Sequence, residues 1–126
     1  METFHEDRTI RTPLITGDPS SGIIEMSGRS YPENAVEFYR PFREWLQGIV
    51  VSPPPSIEFT MDMEYFNTST EGTLFEIINS LADISEGRNI RIIWRFESDD
   101  MDMRNKGNSL HAHFGELIDL QEKETN

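Results

Sequence analysis

Cysteine is absent from the 126-residue chain, which excludes a disulfide framework, thiol chemistry and any cysteine-ligated zinc site. Long apolar runs are absent as well. None approaches the ~20 residues that a membrane-spanning helix needs, and the N-terminal METFHEDRTI is charged rather than signal-like, so a cytoplasmic protein is expected. Positive charge is scarce: 11 Lys and Arg stand against 23 Asp and Glu, for a formal net charge of −12, and the basic residues form no cluster. Counterion release on nucleic acid requires a basic footprint, so neither nucleic acid nor an anionic membrane surface is an expected partner. A basic protein partner, or solubility alone, accounts better for the sign.

The residues of several chemistries are missing too. His111 and His113 are two positions apart, so a helix points them in different directions, and His5 is remote from both. That spacing does not make a metal site. DDMDM, residues 99–103, has the acids of a calcium loop without its glycine and terminal glutamate, and suits the positive end of a helix better. No serine sits in a G-x-S-x-G elbow and no Walker loop is present. Carboxylates are abundant, but nothing singles out a pair for acid/base work. No catalytic residue, metal or cofactor is therefore expected.

What is present is a core and a rhythm. The hydrophobic fraction is 36% and the aromatic fraction 10%, enough for one domain spanning 1–126, with 1–8 and 122–126 expected as flexible ends. TIRTPLIT, residues 9–16, predicts a first strand that Pro13 confines to a sheet edge. GDPSSG is turn chemistry and IIEMSG a second strand, so the two form a hairpin. In SYPENAVEFYRPFREWLQGI, Ser30 with Glu33 fits a capping box and Pro32 suits a first helical turn. Ala35, Phe38, Tyr39, Phe42, Leu46 and Ile49 then recur at helical spacing, and Pro41 predicts a kink. Ile57, Phe59, Met61, Met63 and Tyr65 alternate with Glu58, Thr60, Asp62 and Glu64, the pattern of a strand with one buried and one wet face.

NIRIIWRFE repeats that alternation. If it neighbours the previous strand, Arg91 and Arg95 lie across from Glu58 and Asp62. Leu74, Ile77, Ile78, Leu81 and Ile84 form a helical stripe between the two, so the strands pair in parallel through a crossover. A helix over 99–113 and a short strand ELIDLQ complete the order β-β-α-β-α-β-α-β, with a single helix through 122 as the competing reading. The clean alternation predicts an α/β domain with a mixed four- to five-stranded sheet and helices mainly on one face. A doubly wound nucleotide-binding sheet would be apolar on both faces.

Between strand and helix stand Asn67, Thr68, Ser69 and Thr70. Thr68 as cap with Glu71 closing a capping box is one reading. The other uses the same geometry: a phosphate on a hydroxyl at the positive end of a helix adds about −1.5 to −2 charges, next to Glu64 and Glu71. Local physics leaves both open.

Two segments bear on the choice. SGRSYPENAVEFYRPFREWL followed by MDMEYFNTST resembles the SiaC family of bacterial regulatory phosphoproteins, whose members carry a G-x-SYPEN stretch opening the first helix and a Y-[FL]-NTS-[ST] turn opening the second. The resemblance implies a single domain similar to anti-sigma-factor antagonist (STAS-like) domains. It also implies a non-enzymatic switch. A dedicated protein kinase phosphorylates the turn threonine, a PP2C-like phosphatase removes the phosphate, and the unphosphorylated form activates a diguanylate cyclase, controlling cyclic di-GMP synthesis and biofilm formation. By motif position Thr68 is the phosphosite, and Asn67, Ser69, Thr70 and Glu71 shape its turn. Ser30, Tyr31, Pro32, Glu33, Asn34, Tyr65 and Phe66 are candidates for the partner interface, although Tyr31 and Phe66 fit a core equally well. An antagonist of an anti-sigma factor or kinase is the alternative of the same binding class. A small enzyme using surface carboxylates, which requires a deep pocket of converging acids, is the alternative of another class.

Overall fold

Alternation in the strands and the helical stripes between them close into one sheet with one dry face. The computed structural model describes residues 1–124. Its strands are β1 (Phe4–Glu6), β2 (Leu14–Asp18), β3 (Ile23–Ser30), β4 (Ser56–Phe66), β5 (Asn89–Glu97) and β6 (Ile118–Lys123). Its helices are α1 (Ala35–Val51), α2 (Thr68–Ala82) and α3 (Met101–Phe114), the last followed by a 3-10 turn, Gly115–Leu117. The described residues form a six-stranded mixed sheet ordered β1-β2-β3-β4-β5-β6. β1, β2 and β3 are antiparallel, while β3, β4, β5 and β6 pair in parallel through the three helical crossovers.

Ile24 and Met26 of β3, Phe59 and Met61 of β4, and Ile92 and Trp94 of β5 are buried in the same core as Tyr39, Phe42 and Leu46 of α1 and Leu74, Ile77 and Ile78 of α2. On the opposite face Glu58 stands beside Arg91 at 3.1 Å, Asp62 beside Arg95 at 3.3 Å, and Arg91 also reaches Asp119 at 2.5 Å. The cross-strand charge pairing and the parallel crossovers are those expected from the sequence.

The two ends of the chain differ from expectation. The N-terminal residues are not a loose end, because Phe4–Glu6 pair with β2 and the Phe4 ring packs 5.4 Å from Phe42. That adds a sixth strand and moves β2 off the edge, so Pro13 precedes the strand rather than marking an edge. The strand begins at Leu14 because Thr9 to Thr12 close a turn, the Thr9 N–H donating to the Thr12 carbonyl. At the other end Glu122 and Lys123 lie inside β6, where Lys123 reaches Asp62 at 2.6 Å; the expectation for 125–126 falls outside the described residues. Gly115, at φ 68, terminates α3 and rules out a single helix to 122. α1 runs continuously through Pro41, whose ring is solvent-exposed.

Candidate functional site

β4 does not keep its alternation to the end. Gly28 pairs with Met63 but Arg29 pairs with Tyr65, so Glu64 is an extra residue in the ladder. Such a bulge inverts the parity of everything beyond it. Tyr65, inward by strict alternation, is turned out and 43% exposed, while Phe66 is turned in, 5% exposed, with its ring edge-on to Trp94 at 5.9 Å. Gly28 takes φ 116, a conformation that a side chain strains to adopt. Arg8 lies across it and pairs with Glu64 at 2.6 Å.

After Phe66 the chain enters α2, and its cap is Asn67. With φ −85 and ψ 175, Asn67 is extended, and its Oδ1 accepts from the Thr70 N–H at 3.0 Å and the Ser69 hydroxyl at 3.3 Å. The expected Thr68–Glu71 capping box is therefore not formed: the cap lies one residue earlier, and Glu71 instead pairs with Lys106 of α3 at 3.2 Å. Likewise α1 is capped by Asn34, which accepts from the Glu37 N–H at 3.2 Å, and not by Ser30. The carboxamide reaches the third residue on in both helices.

Ser30 and Thr70 are fully buried and joined. The Ser30 hydroxyl lies 2.7 Å from the Tyr39 hydroxyl and 2.9 Å from Thr70 Oγ1, and Thr70 donates to the Ser30 carbonyl at 3.3 Å. Thr70 has one proton and commits it to that carbonyl. Ser30 must then donate to Thr70, and Tyr39 to Ser30, a single directed chain from α1 through the end of β3 to α2. Burial pushes the Tyr39 phenol up to about 12, against the lowering effect of the Ser30 hydrogen bond. The Asn67 N–H also donates to the Ser30 carbonyl, at 3.0 Å. The SYPEN and NTST segments, some 40 positions apart, are thus one hydrogen-bonded unit.

The expected site residues consequently divide. Thr68, Ser69, Glu33, Asn34, Tyr65 and Glu71 are exposed, Asn67, Tyr31 and Pro32 half-buried, and Ser30, Phe66 and Thr70 interior. Ser30 and Phe66 are corrected as interface candidates, because interior side chains offer a partner no surface, whereas Thr70 sits within the turn with its hydroxyl out of a kinase's reach in the folded chain. Sequence reading missed Arg29, whose guanidinium lies over both the Tyr31 and Tyr65 rings at 5.8 and 5.7 Å. Those rings are themselves edge-on at 6.1 Å. It also missed Lys106, whose ammonium is 5.1 Å from the Phe66 ring. Neither had a signal within its own segment, since both matter through residues brought from other elements.

Thr68 is the first helical residue, and its hydroxyl has no hydrogen-bond partner among the described residues. Beside the turn, α2 and α3 flank an apolar cleft of about 180 Å³ lined by Phe66, Leu74, Phe75, Ile78, Trp94 and Leu110, with Glu71 its single carboxylate. Converging acids are not what lines it. His113 does not stand free: its ring packs 4.9 Å from Phe75. No helix among the described residues is long and apolar enough to cross a membrane.

Fold and turn together define a small one-sided α/β domain that presents an unengaged hydroxyl at the start of a helix. The chain belongs to the SiaC family of regulatory phosphoproteins, whose family model matches residues 6–123. An uncharacterized protein of Pseudomonas aeruginosa is 29% identical over 98 residues, covering 77% of this chain and 78% of that protein. The crystal structure of apo-SiaC from Pseudomonas aeruginosa superposes with a TM-score of 0.86 at 24% identity, over 96% of this chain and 99% of that one. SiaC in complex with the diguanylate cyclase SiaD, described there as its activator, superposes with a TM-score of 0.88 at 23% identity, over 95% and 99%. These likenesses establish the fold.

Proposed function

We propose that Thr68 is the phosphorylated residue of this family member and that its phosphate switches docking to a protein partner. One observation carries the reading. Of the three hydroxyls in the turn, Thr70 is buried, Ser69 is committed to the Asn67 cap, and only Thr68 is both exposed and unengaged. Converting that hydroxyl to a phosphoester removes no cap hydrogen bond, because the cap belongs to Asn67.

A cytoplasmic protein kinase would add the phosphate and a PP2C-like phosphatase remove it. The unphosphorylated form would bind and activate a diguanylate cyclase, coupling the switch to cyclic di-GMP and biofilm formation. The solved complex of a structural relative with its diguanylate cyclase supports that partner class. The docking surface would be the rim formed by the half-buried Tyr31 and Pro32 and the exposed Glu33, Asn34 and Tyr65 around the turn of Asn67, Ser69 and Glu71. Burying there a dianion that the partner does not neutralise is strongly unfavourable. A switch from 1:99 to 99:1 needs about 5.5 kcal/mol of differential affinity, which that penalty can supply.

Mass spectrometry after exposure to the cognate kinase, with pull-down of the cyclase by Thr68→Ala and Thr68→Asp, tests the reading. Phosphate on Thr68, retained binding by Thr68→Ala and loss by Thr68→Asp are expected. Phosphate on another residue, or two variants that bind alike, would sink it.

A further inference from the structure

The geometry points to Lys106 as the group that receives the Thr68 phosphate, exchanging its present carboxylate for the phosphoryl oxygens and so carrying the switch from α2 into α3. This inference rests on Thr68 being the modified residue. Lys106 is brought to the turn by contacts on both sides of Thr68. Its ammonium is 5.1 Å from the Phe66 ring, two residues before, and 3.2 Å from the Glu71 carboxylate, three residues after. Residues three apart on a helix are surface neighbours, about 5–6 Å between Cβ atoms, so a phosphate on Thr68 lies within the sweep of a lysine already holding Glu71. The lysine is also the less exposed member of that pair, 24% against 50%.

The other charges around the turn are arranged differently. Asp102, on Lys106's own helix, is the more distant carboxylate at 3.8 Å. Glu64 is held by Arg8 at 2.6 Å, and Arg29 lies over two tyrosine rings. The Glu71–Lys106 pair bridges α2 and α3 along the rim of the apolar cleft. α2 and α3 also meet through the Phe75 ring, which packs 4.9 and 5.1 Å from His113 and Phe114, so the pair is the polar contact at the turn end of an otherwise aromatic seam. A dianion outcompetes a single carboxylate for one ammonium. Transfer of Lys106 therefore releases Glu71 and alters the cleft rim without any change in the sheet.

The test places phosphothreonine at position 68 by genetic encoding, so it does not depend on a kinase, and follows the phosphorus-31 shift through a pH titration. With Lys106 engaged, the second phosphate ionisation is expected about 0.5–1 unit below its usual value near 6. Lys106→Met should restore it, Arg29→Gln should leave the lowered value unchanged, and amide exchange in α3 should change on phosphorylation only when Lys106 is present. A phosphate pKa indifferent to Lys106, or one that follows Arg29 instead, overturns the inference. Cyclase binding measured on the same phosphoprotein separates the two readings: a Lys106-dependent pKa with unaltered binding refutes the docking switch while leaving the lysine exchange standing.

Discussion

The first N–H groups of a helix have no intrahelical partner, and at α2 the Asn67 carboxamide takes the one on Thr70. Asn67→Ala should lower stability by about 1 kcal/mol, whereas Thr68→Ala should stay within about 0.5 kcal/mol of wild type, both read from chemical denaturation midpoints. Equal losses would return the cap to Thr68 and weaken its claim to be free for modification. Tyr39 supplies a second residue-scale prediction. Its phenol is raised to about 12 by burial, above its value in the unfolded chain. The folded state therefore holds that proton more tightly, and the stability it contributes is intact below pH 10 and lost as pH rises toward 12. A shift of that size amounts to about 2–3 kcal/mol over the window. Lys123 is also raised and acts in the same direction, so the comparison that isolates the tyrosine is wild type against Tyr39→Phe. The variant should lack this alkaline component, and identical alkaline slopes in both proteins would refute it.

Elements were legible wherever one physical rule acted alone. The alternation in β4 and β5 and the apolar stripe of α2 fixed strands, helix and parallel pairing. Legibility failed where a distant residue intervened. The bulge at Glu64 is a property of two strands, and nothing in MDMEYF announces that Tyr65 and Phe66 exchange faces. Gly107 is a similar case. On propensity it weakens α3, yet a Cβ there would come within 2.6 Å of Trp94 and 2.8 Å of Leu120, so its absence lets the helix sit on the sheet. Gly72 in α2 has nothing within 4 Å of an added Cβ. Gly72→Ala should gain about 0.8–1 kcal/mol of helix propensity. Gly107→Ala should instead lose about 1–3 kcal/mol through overpacking, with a shifted Trp94 emission. Alanine stabilising at both positions would mean that α3 is free to lift from the sheet.

At the scale of the whole molecule, strand order follows chain order, so the two ends of the described chain form the two edges of the sheet. Three residues of β1 were too short to register as a strand, and they gain their stability from across the fold. The Phe4 ring packs on Phe42 and Trp45 at 5.4 and 5.9 Å, and the Trp45 indole donates to the Glu2 carbonyl at 2.7 Å. Removing residues 2–6 should cost about 1–2 kcal/mol for the lost apolar contact of the partly buried Phe4. It should also bare the backbone edge of β2, and an unpaired edge is a template for strand addition. The net charge of −12 opposes association at low salt, so self-association of the truncated protein should grow as salt screens that repulsion. Phe4→Ala separates the two consequences, since it loses the ring but keeps the β1 backbone paired to β2. Sedimentation velocity at low and high salt should find wild type and Phe4→Ala monomeric at both, with the truncation alone associating at high salt. If Phe4→Ala associates as well, the ring rather than the strand is what protects the edge, and β1 would be a hydrophobic plug more than a sixth strand.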